Sequence, residues 1–150
     1  MIVMKINSSR FGIIEVDKDN IIEFSKGIPA FEDFKRYVLL SEEDAPSLYW
    51  LQSVDDGDVS FILIDPFEIA EGYKPKLSEK TIRDLKIERQ EDVVLLTMLI
   101  VPEDMKNMTT NLQSPIIINM KERLGKQVIL IDDDYPMRFP VFSEPDGEGE

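Results

Sequence analysis

The chain of 150 residues contains no cysteine and no histidine. It therefore cannot form a disulfide, use a thiolate nucleophile, build a zinc site from Cys and His, or run a catalytic triad through an imidazole. The lack of cysteine, and an N-terminus with no basic region before its short apolar stretch, favour a cytoplasmic protein over a secreted one. Carboxylates, Lys, Ser, Thr and Tyr remain for catalysis, so the composition disfavours an enzyme.

Long apolar runs and nucleotide-binding motifs are missing as well. The longest apolar run, residues 93–101, is less than half of the roughly 20 residues that a membrane-spanning helix needs. The chain has no Gly-rich phosphate loop, no Walker pattern and no Gly-x-Ser-x-Gly elbow. These absences predict a protein that uses no cofactor.

Positive charge is scarce relative to negative charge. The chain has 30 Asp and Glu against 17 Lys and Arg, which gives a net charge of −13. Binding to a nucleic-acid backbone requires clustered Lys and Arg, and an anionic membrane surface would repel the protein. We therefore expect no direct nucleic-acid binding and no membrane binding. A basic protein partner, by contrast, would be attracted and its encounter accelerated.

The pattern of apolar and turn-forming residues predicts a mainly β protein. Asp56-Gly57 between two β-rich runs is typical of a hairpin. One helix is predicted at about residues 78–87, because Ser78 can cap it and Leu77 and Ile82 have hydrophobic-staple spacing. The predicted strands are residues 2–6, 11–16, 21–24, 37–40, 49–53, 60–64, 93–101, 116–119 and 127–131.

These elements predict a small antiparallel β-barrel-like single domain over residues 1–142, capped by the one helix. Residues 143–150 (SEPDGEGE) carry four acids and no apolar side chain, which predicts a disordered acidic tail. No internal repeat is visible. The hypothesis of one domain follows from length as well as from pattern.

Carboxylate clusters leave two alternative functions open. Asp132, Asp133 and Asp134 invite a metal-dependent binding module, since hard cations take oxygen ligands. The turn from Asp55 to Asp58 resembles the start of a calcium loop, but it lacks the Gly and Glu that such a loop needs at its sixth and twelfth positions. The other alternative is a carboxylate-based hydrolase or isomerase, which requires two acids converging on one pocket.

Several sequence blocks follow one another along the chain. They are residues 27–34 (GIPAFEDF) with 36–40 (RYVLL), 50–56 (WLQSVDD) leading to Phe61 and 65–67 (DPF), 101–104 (VPED), 108–119 (MTTNLQSPIIIN) and 125–130 (GKQVIL), with Tyr135 and Arg138 after them. In this order they cover about residues 10–140 and resemble the FliW family of flagellar assembly factors. Ala30 stands where family members usually carry a second glycine, and Phe139 where they often have histidine.

The resemblance implies a β-barrel-like domain with a helical cap that acts as a cytoplasmic, non-enzymatic binding protein. Its implied partners are flagellin and the RNA-binding translational regulator CsrA. In this scheme the protein binds newly made flagellin. When export depletes flagellin, the freed protein engages CsrA away from the RNA groove and relieves repression of flagellin translation.

Two sets of residues are predicted to bind these partners. CsrA must be basic to hold RNA phosphates, so acidic turns are the expected contact. Flagellin ends are amphipathic helical segments, so exposed apolar side chains are expected there, although the same side chains could instead close the barrel core. The candidates are Glu32, Asp33, Asp55, Asp56 and Asp58 for CsrA, and Phe31, Phe34, Met105, Met108 and Leu112 for flagellin.

Overall fold

The computed structural model describes residues 2–131 and 134–142. Over these residues the chain forms eleven strands and one α-helix, joined by turns and short 3₁₀ helices. The elements are β1 Val3–Ser8, β2 Gly12–Asp17, β3 Ile22–Glu23, β4 Arg36–Ser41, β5 Leu48–Ser53, β6 Ser60–Ile64, α1 Glu79–Asp84, β7 Val93–Ile100, β8 Thr109–Thr110, β9 Ile116–Asn119, β10 Leu124–Gln127 and β11 Phe139–Pro140.

Seven of the strands close into a barrel in the order β7-β6-β5-β4-β3-β10-β9, and β9 pairs back onto β7. A ring with an odd number of strands cannot alternate direction throughout, so one pair must be parallel. That pair is β3 with β10, where Glu23 lies beside Leu124. The predicted mainly β barrel with a single short helix is confirmed.

The barrel interior is filled by side chains that alternate along the strands. Tyr37, Leu51 and Leu63 come from three adjacent strands and are fully buried there, together with Ile116 and Ile118 of β9. Between these last two, Ile117 points to the opposite face and joins a second apolar cluster under α1. The strand β9 is therefore buried on both sides, which explains its continuous run of isoleucines.

A separate hairpin of β1 and β2 lies on the outer face of the barrel. Ile6 and Val16 of the hairpin pack against Val38, which points outward from β4 because its neighbour Tyr37 points inward. The end of the hairpin is fixed as well, since the N–H of Ser9 donates to the carbonyl of Gly57 at 3.0 Å.

The helix is shorter than the predicted residues 78–87. Ser78 is the N-cap as expected, and its hydroxyl accepts a hydrogen bond from the N–H of Thr81 at 3.1 Å. The chain leaves the helix because Lys86 adopts a left-handed φ of 54°, and the N–H of Ile87 then bonds back to the carbonyl of Ile82. No helix in the described part of the chain is long and apolar enough to cross a membrane.

The last predicted barrel strand, residues 127–131, is displaced to Leu124–Gln127. The regular ladder with β9 stops there because Pro115, opposite the next residue, has no N–H to donate. Residues 128–131 continue in extended form, and the N–H groups of Val128 and Leu130 donate to the carbonyls of Pro115 and Gln113.

Three connections leave the barrel at the same end, because β3, β5 and β7 run in the same direction. These connections are residues 24–35, 54–59 and 101–108. We call this the loop end. It carries most of the residues that the sequence nominates for partner binding.

Candidate partner-binding surfaces

The loop end brings the two predicted acidic turns together. The N–H of Val54 donates to the carbonyl of Arg36 at 3.0 Å, and the Arg36 guanidinium lies 2.5 Å from a carboxylate oxygen of Asp55. These contacts join the turn that follows β5 to the start of β4, directly after residues 24–35. Carboxylates separated by more than 20 positions in sequence therefore occupy one end of the barrel.

Residues 27–32 form a tight turn with two left-handed residues. Gly27 has a φ of 67°, and a Cβ at that position would lie 2.6 Å from the backbone of Glu32. Ala30 has a φ of 74°, a conformation that glycine adopts more easily, and its N–H donates to the Glu32 carboxylate at 3.0 Å. The turn is thus held partly by the acid that it presents.

The carboxylates of the 54–59 turn have structural partners of their own. Asp56 accepts a hydrogen bond from the N–H of Asp58 at 2.9 Å, and the Asp58 carboxylate accepts one from the Ser9 hydroxyl. With Asp55 on Arg36, all three acids help to shape the turn. Glu32 and Asp33 on the neighbouring turn are exposed to solvent and are the more available charges.

The predicted flagellin residues divide into exposed and buried ones. Phe31 is 37% exposed with its ring edge on Phe61, and Met105 is 53% exposed. Phe34 is half-buried against the barrel core. The expectation of exposure is wrong for Met108 and Leu112, which are 6% and 2% exposed and close the core.

The physical reason for this burial is a strand that the sequence reading missed. Thr109–Thr110 forms β8 between Leu99–Ile100 of β7 and β11, so its flanking residues are drawn inward. The hydroxyl of Thr110 donates to the carbonyl of Met98 and accepts from the hydroxyl of Thr97, both at 2.7 Å. A two-residue strand of threonines has no apolar alternation, so no pattern in the sequence reveals it.

An apolar groove beside α1 is a surface that the sequence reading did not identify. It has a volume of about 600 Å³. The apolar side chains Phe67 and Ile82 at its margin are 52% and 38% exposed. Its lining comprises Phe67, Tyr73, Lys74, Pro75, Leu77, Ile82, Ile87, Gln90, Val93 and Leu95.

The residues of the predicted hydrophobic staple lie in this groove. The predicted staple pair Leu77 and Ile82 both line it, so the two residues do share one side of the helix start. Leu85, on the buried face, closes the cluster over Ile117 instead. A helix of six residues is too short for its apolar periodicity to show which side chains face the core and which face a groove.

The predicted metal and catalytic sites would both require carboxylates brought together. The apolar groove holds no carboxylate, and the described residues contain no group of three or more acids placed to hold a metal ion. Asp132 and Asp133 of the predicted metal cluster lie outside the described residues. Asp65, the acid after the β6 strand, accepts a hydrogen bond from the N–H of Phe67 at 3.0 Å and caps a 3₁₀ turn.

Comparison with known proteins decides the family. The model of the FliW protein family matches residues 5–141, which is nearly the whole chain. This chain belongs to the FliW family. The flagellar assembly factor FliW of Caldicellulosiruptor saccharolyticus is 43% identical over 144 residues, covering 95% of this chain and 94% of the relative.

Further comparisons agree over the same span. The flagellar assembly factor FliW of Clostridium tetani is 38% identical over 141 residues, covering 94% of this chain and 97% of the relative. A crystal structure of the flagellar assembly factor FliW superposes with a TM-score of 0.89 at 38% identity, covering 94% of this chain and 99% of that one. The FliW barrel is therefore the fold of this chain.

Proposed function

We propose that this protein is a flagellar assembly factor that acts by binding other proteins in the cytoplasm, without catalysis. It binds flagellin and, when free, binds CsrA and relieves repression of flagellin translation. Membership of the FliW family over nearly the whole chain is the observation that carries the proposal. The two exposed binding surfaces, one acidic and one apolar, support a role in protein recognition.

The loop end is the proposed CsrA surface. Its two acidic turns are adjacent, and a basic partner would be steered toward them. Within this surface, Glu32 and Asp33 are the best residues for a test, because reversing them removes one hydrogen bond within their turn, from the N–H of Ala30 to Glu32. Reversing Asp55, Asp56 and Asp58 would remove the ion pair to Arg36 and two further contacts that shape the 54–59 turn.

The test compares two double variants of equal charge change. Glu32→Lys/Asp33→Lys alters the loop end, and Glu43→Lys/Asp44→Lys alters exposed acids in the 42–47 connection at the opposite end. We expect the first to slow CsrA association by about 3- to 10-fold at low salt and the second to slow it much less. Equal slowing by both would indicate a general charge effect and would contradict a CsrA surface at the loop end.

The apolar groove beside α1 is the proposed flagellin surface, with Phe31 and Met105 at the loop end as the second candidate. Amphipathic helical segments bind by laying an apolar face into a groove of this kind. The groove has the exposed apolar margin that such binding needs, whereas Met108 and Leu112 are almost fully buried.

Matched apolar-to-polar changes separate the two candidates. Ile82→Ser alters the groove, Met105→Ser alters the loop end, and Ile13→Ser is the control on the exposed face of β2, where Ile13 is 72% exposed. We expect Ile82→Ser to weaken flagellin binding at least 10-fold and the other two to leave it within about 2-fold. A loss of flagellin binding in Met105→Ser alone would contradict the groove and indicate that flagellin binds at the loop end.

A further inference from the structure

A second groove lies on the other side of the α1 segment, between residues 76–81 and the extended residues 128–131. Its volume is about 620 Å³. It is lined by Lys76, Leu77, Ser78, Thr81, Val128, Ile129, Leu130 and Ile131. We call it the edge groove, because one wall is the extended backbone of residues 128–131, which forms hydrogen bonds to described residues on one side of the strand.

The backbone of residues 128–131 alternates as a strand does. Val128 and Leu130 are 8% and 6% exposed and send their N–H groups toward Pro115 and Gln113. Ile129 and Ile131 are 64% and 82% exposed. The N–H and C=O of Ile129 make no hydrogen bond to any described residue, so within the described part of the chain this side of the strand is an open edge.

The edge is open because of the parallel pair that closes the barrel. The strand β3 pairs with β10 at the single position of Glu23 and Leu124, and then turns away into the loop end. Among residues 2–131 and 134–142, no strand therefore pairs with residues 128–131 on this side. The helix α1 stands off from them, and the space between is the edge groove.

The segment that contains α1 is basic, unlike the rest of the chain, and one of its lysines, Lys76, lines the edge groove. Residues 74–89 hold six Lys and Arg against three acids in a chain of net charge −13. Lys80 and Lys126 are one and two residues away from Thr81 and Val128, which line the groove. Their ammonium groups lie 2.8 and 2.9 Å from one carboxylate oxygen of Asp84, where α1 meets β10. Lys26 lies beside Lys80, and hydrogen bonding to Lys80, followed by the like charges of Lys80 and Lys126, lowers the pKa of Lys26. Two ammonium groups thus share one carboxylate, and a third lies beside them.

From this open edge and its cationic end, we propose that the edge groove binds an extended segment of a protein partner that pairs as an added strand on residues 128–131. The segment carries apolar side chains at alternate positions, which enter the groove beside Leu77, and carboxylates at the end that reaches Lys26, Lys80 and Lys126. Main-chain hydrogen bonds to Ile129 give affinity, and the lysines select an acidic segment. This surface goes beyond the proposed function and does not depend on which surface holds CsrA or flagellin.

The test uses the full chain and a displayed library of random 12-residue peptides. We expect enriched peptides to alternate apolar residues and to carry acids at one end. Their affinity should fall at least 10-fold in Ile129→Pro, which removes the edge N–H, and stay within about 3-fold in Ile129→Ala, which keeps it. Ile13→Ser is the control with an equally exposed isoleucine on a paired strand.

A second measurement covers the case in which Ile129→Pro does not fold. In the unaltered chain saturated with an enriched peptide, exchange of the Ile129 amide proton should slow at least 10-fold. Failure to enrich any peptide, enrichment of basic or helical peptides, or unchanged Ile129 exchange would overturn the proposal. Pairing of two copies of the chain through this edge, seen as a dimer whose formation Ile129→Pro prevents, would overturn it too.

Discussion

Gly57 lies so close to Asn7 that a Cβ on the glycine would overlap the Asn7 carbonyl oxygen. The turn that presents Asp55, Asp56 and Asp58 is therefore pressed directly onto the β1–β2 hairpin. The N–H of Ser9, which donates to the Gly57 carbonyl, fixes the same contact. The hairpin outside the barrel thus positions an acidic turn at the loop end.

Gly57→Ala should accordingly be costly. The added methyl group meets backbone, which cannot rotate away, so we expect a loss of about 1–3 kcal/mol in the free energy of unfolding. Chemical denaturation measures the loss. Gly72→Ala is not a suitable control because Gly72 has a positive φ of 81°, so the comparison is with Ser9→Ala, which keeps the backbone contact and should cost less.

Ala30→Gly should stabilise the protein. Ala30 has a φ of 74°, where an L side chain is strained and glycine is not. Against this, glycine loses more entropy on folding, so the expected net gain is about 0.5–1 kcal/mol. A denaturation midpoint that moves down rather than up would show that the turn is not strained at this residue.

The family and the barrel could be predicted because the sequence blocks and the individual strands can be recognised in the sequence. Alternating apolar strands, the Ser78 cap and the Asp56-Gly57 turn each have a local pattern, and each is present in the structure. The strand β8 and the burial of Met108 and Leu112 have no such pattern, because pairing with β7 and β11 creates them. The edge groove likewise has no sequence pattern, because it results from how the barrel closes, where β3 turns away from β10.

Tyr37→Phe should raise stability near neutral pH. The Tyr37 hydroxyl is buried with no hydrogen-bond partner among the described residues, so removing it relieves an unsatisfied polar group. We expect a gain of up to about 1 kcal/mol, because the ring and its packing on Phe24 are kept.

The same residue predicts a difference at high pH. Burial, with a smaller effect of Asp55, raises the pKa of Tyr37 from 10.0 to about 12. The neutral form is favoured in the folded state, so the unaltered chain should lose stability as the pH rises from 10 through 12. Tyr37→Phe should lose less over that range. Equal losses in the two chains would contradict a buried Tyr37.

Asp84→Asn should weaken the contact between α1 and β10 in a pH-dependent way. Lys80 and then Lys126 hold the pKa of Asp84 well below its ordinary value of 3.8. Because the folded-state pKa is lowered, the stabilisation is present above about pH 4 and is lost as the pH falls below that value. The unaltered chain should therefore be more stable than Asp84→Asn at pH 7, and the difference should shrink on acidification. A difference that is constant from pH 7 to pH 2 would contradict the charge arrangement.

The proposed function requires that flagellin and CsrA compete for this protein, and a competition binding experiment tests this most directly. CsrA is immobilised, and binding of the purified chain is measured with and without a stoichiometric excess of monomeric flagellin. We predict that flagellin lowers the apparent affinity for CsrA at least 10-fold. This requires that flagellin in the groove beside α1 disfavours CsrA at the loop end, so that the flagellin-bound chain is removed from the CsrA equilibrium. A ternary complex that forms with unchanged affinity, or no binding to either protein, would contradict the account.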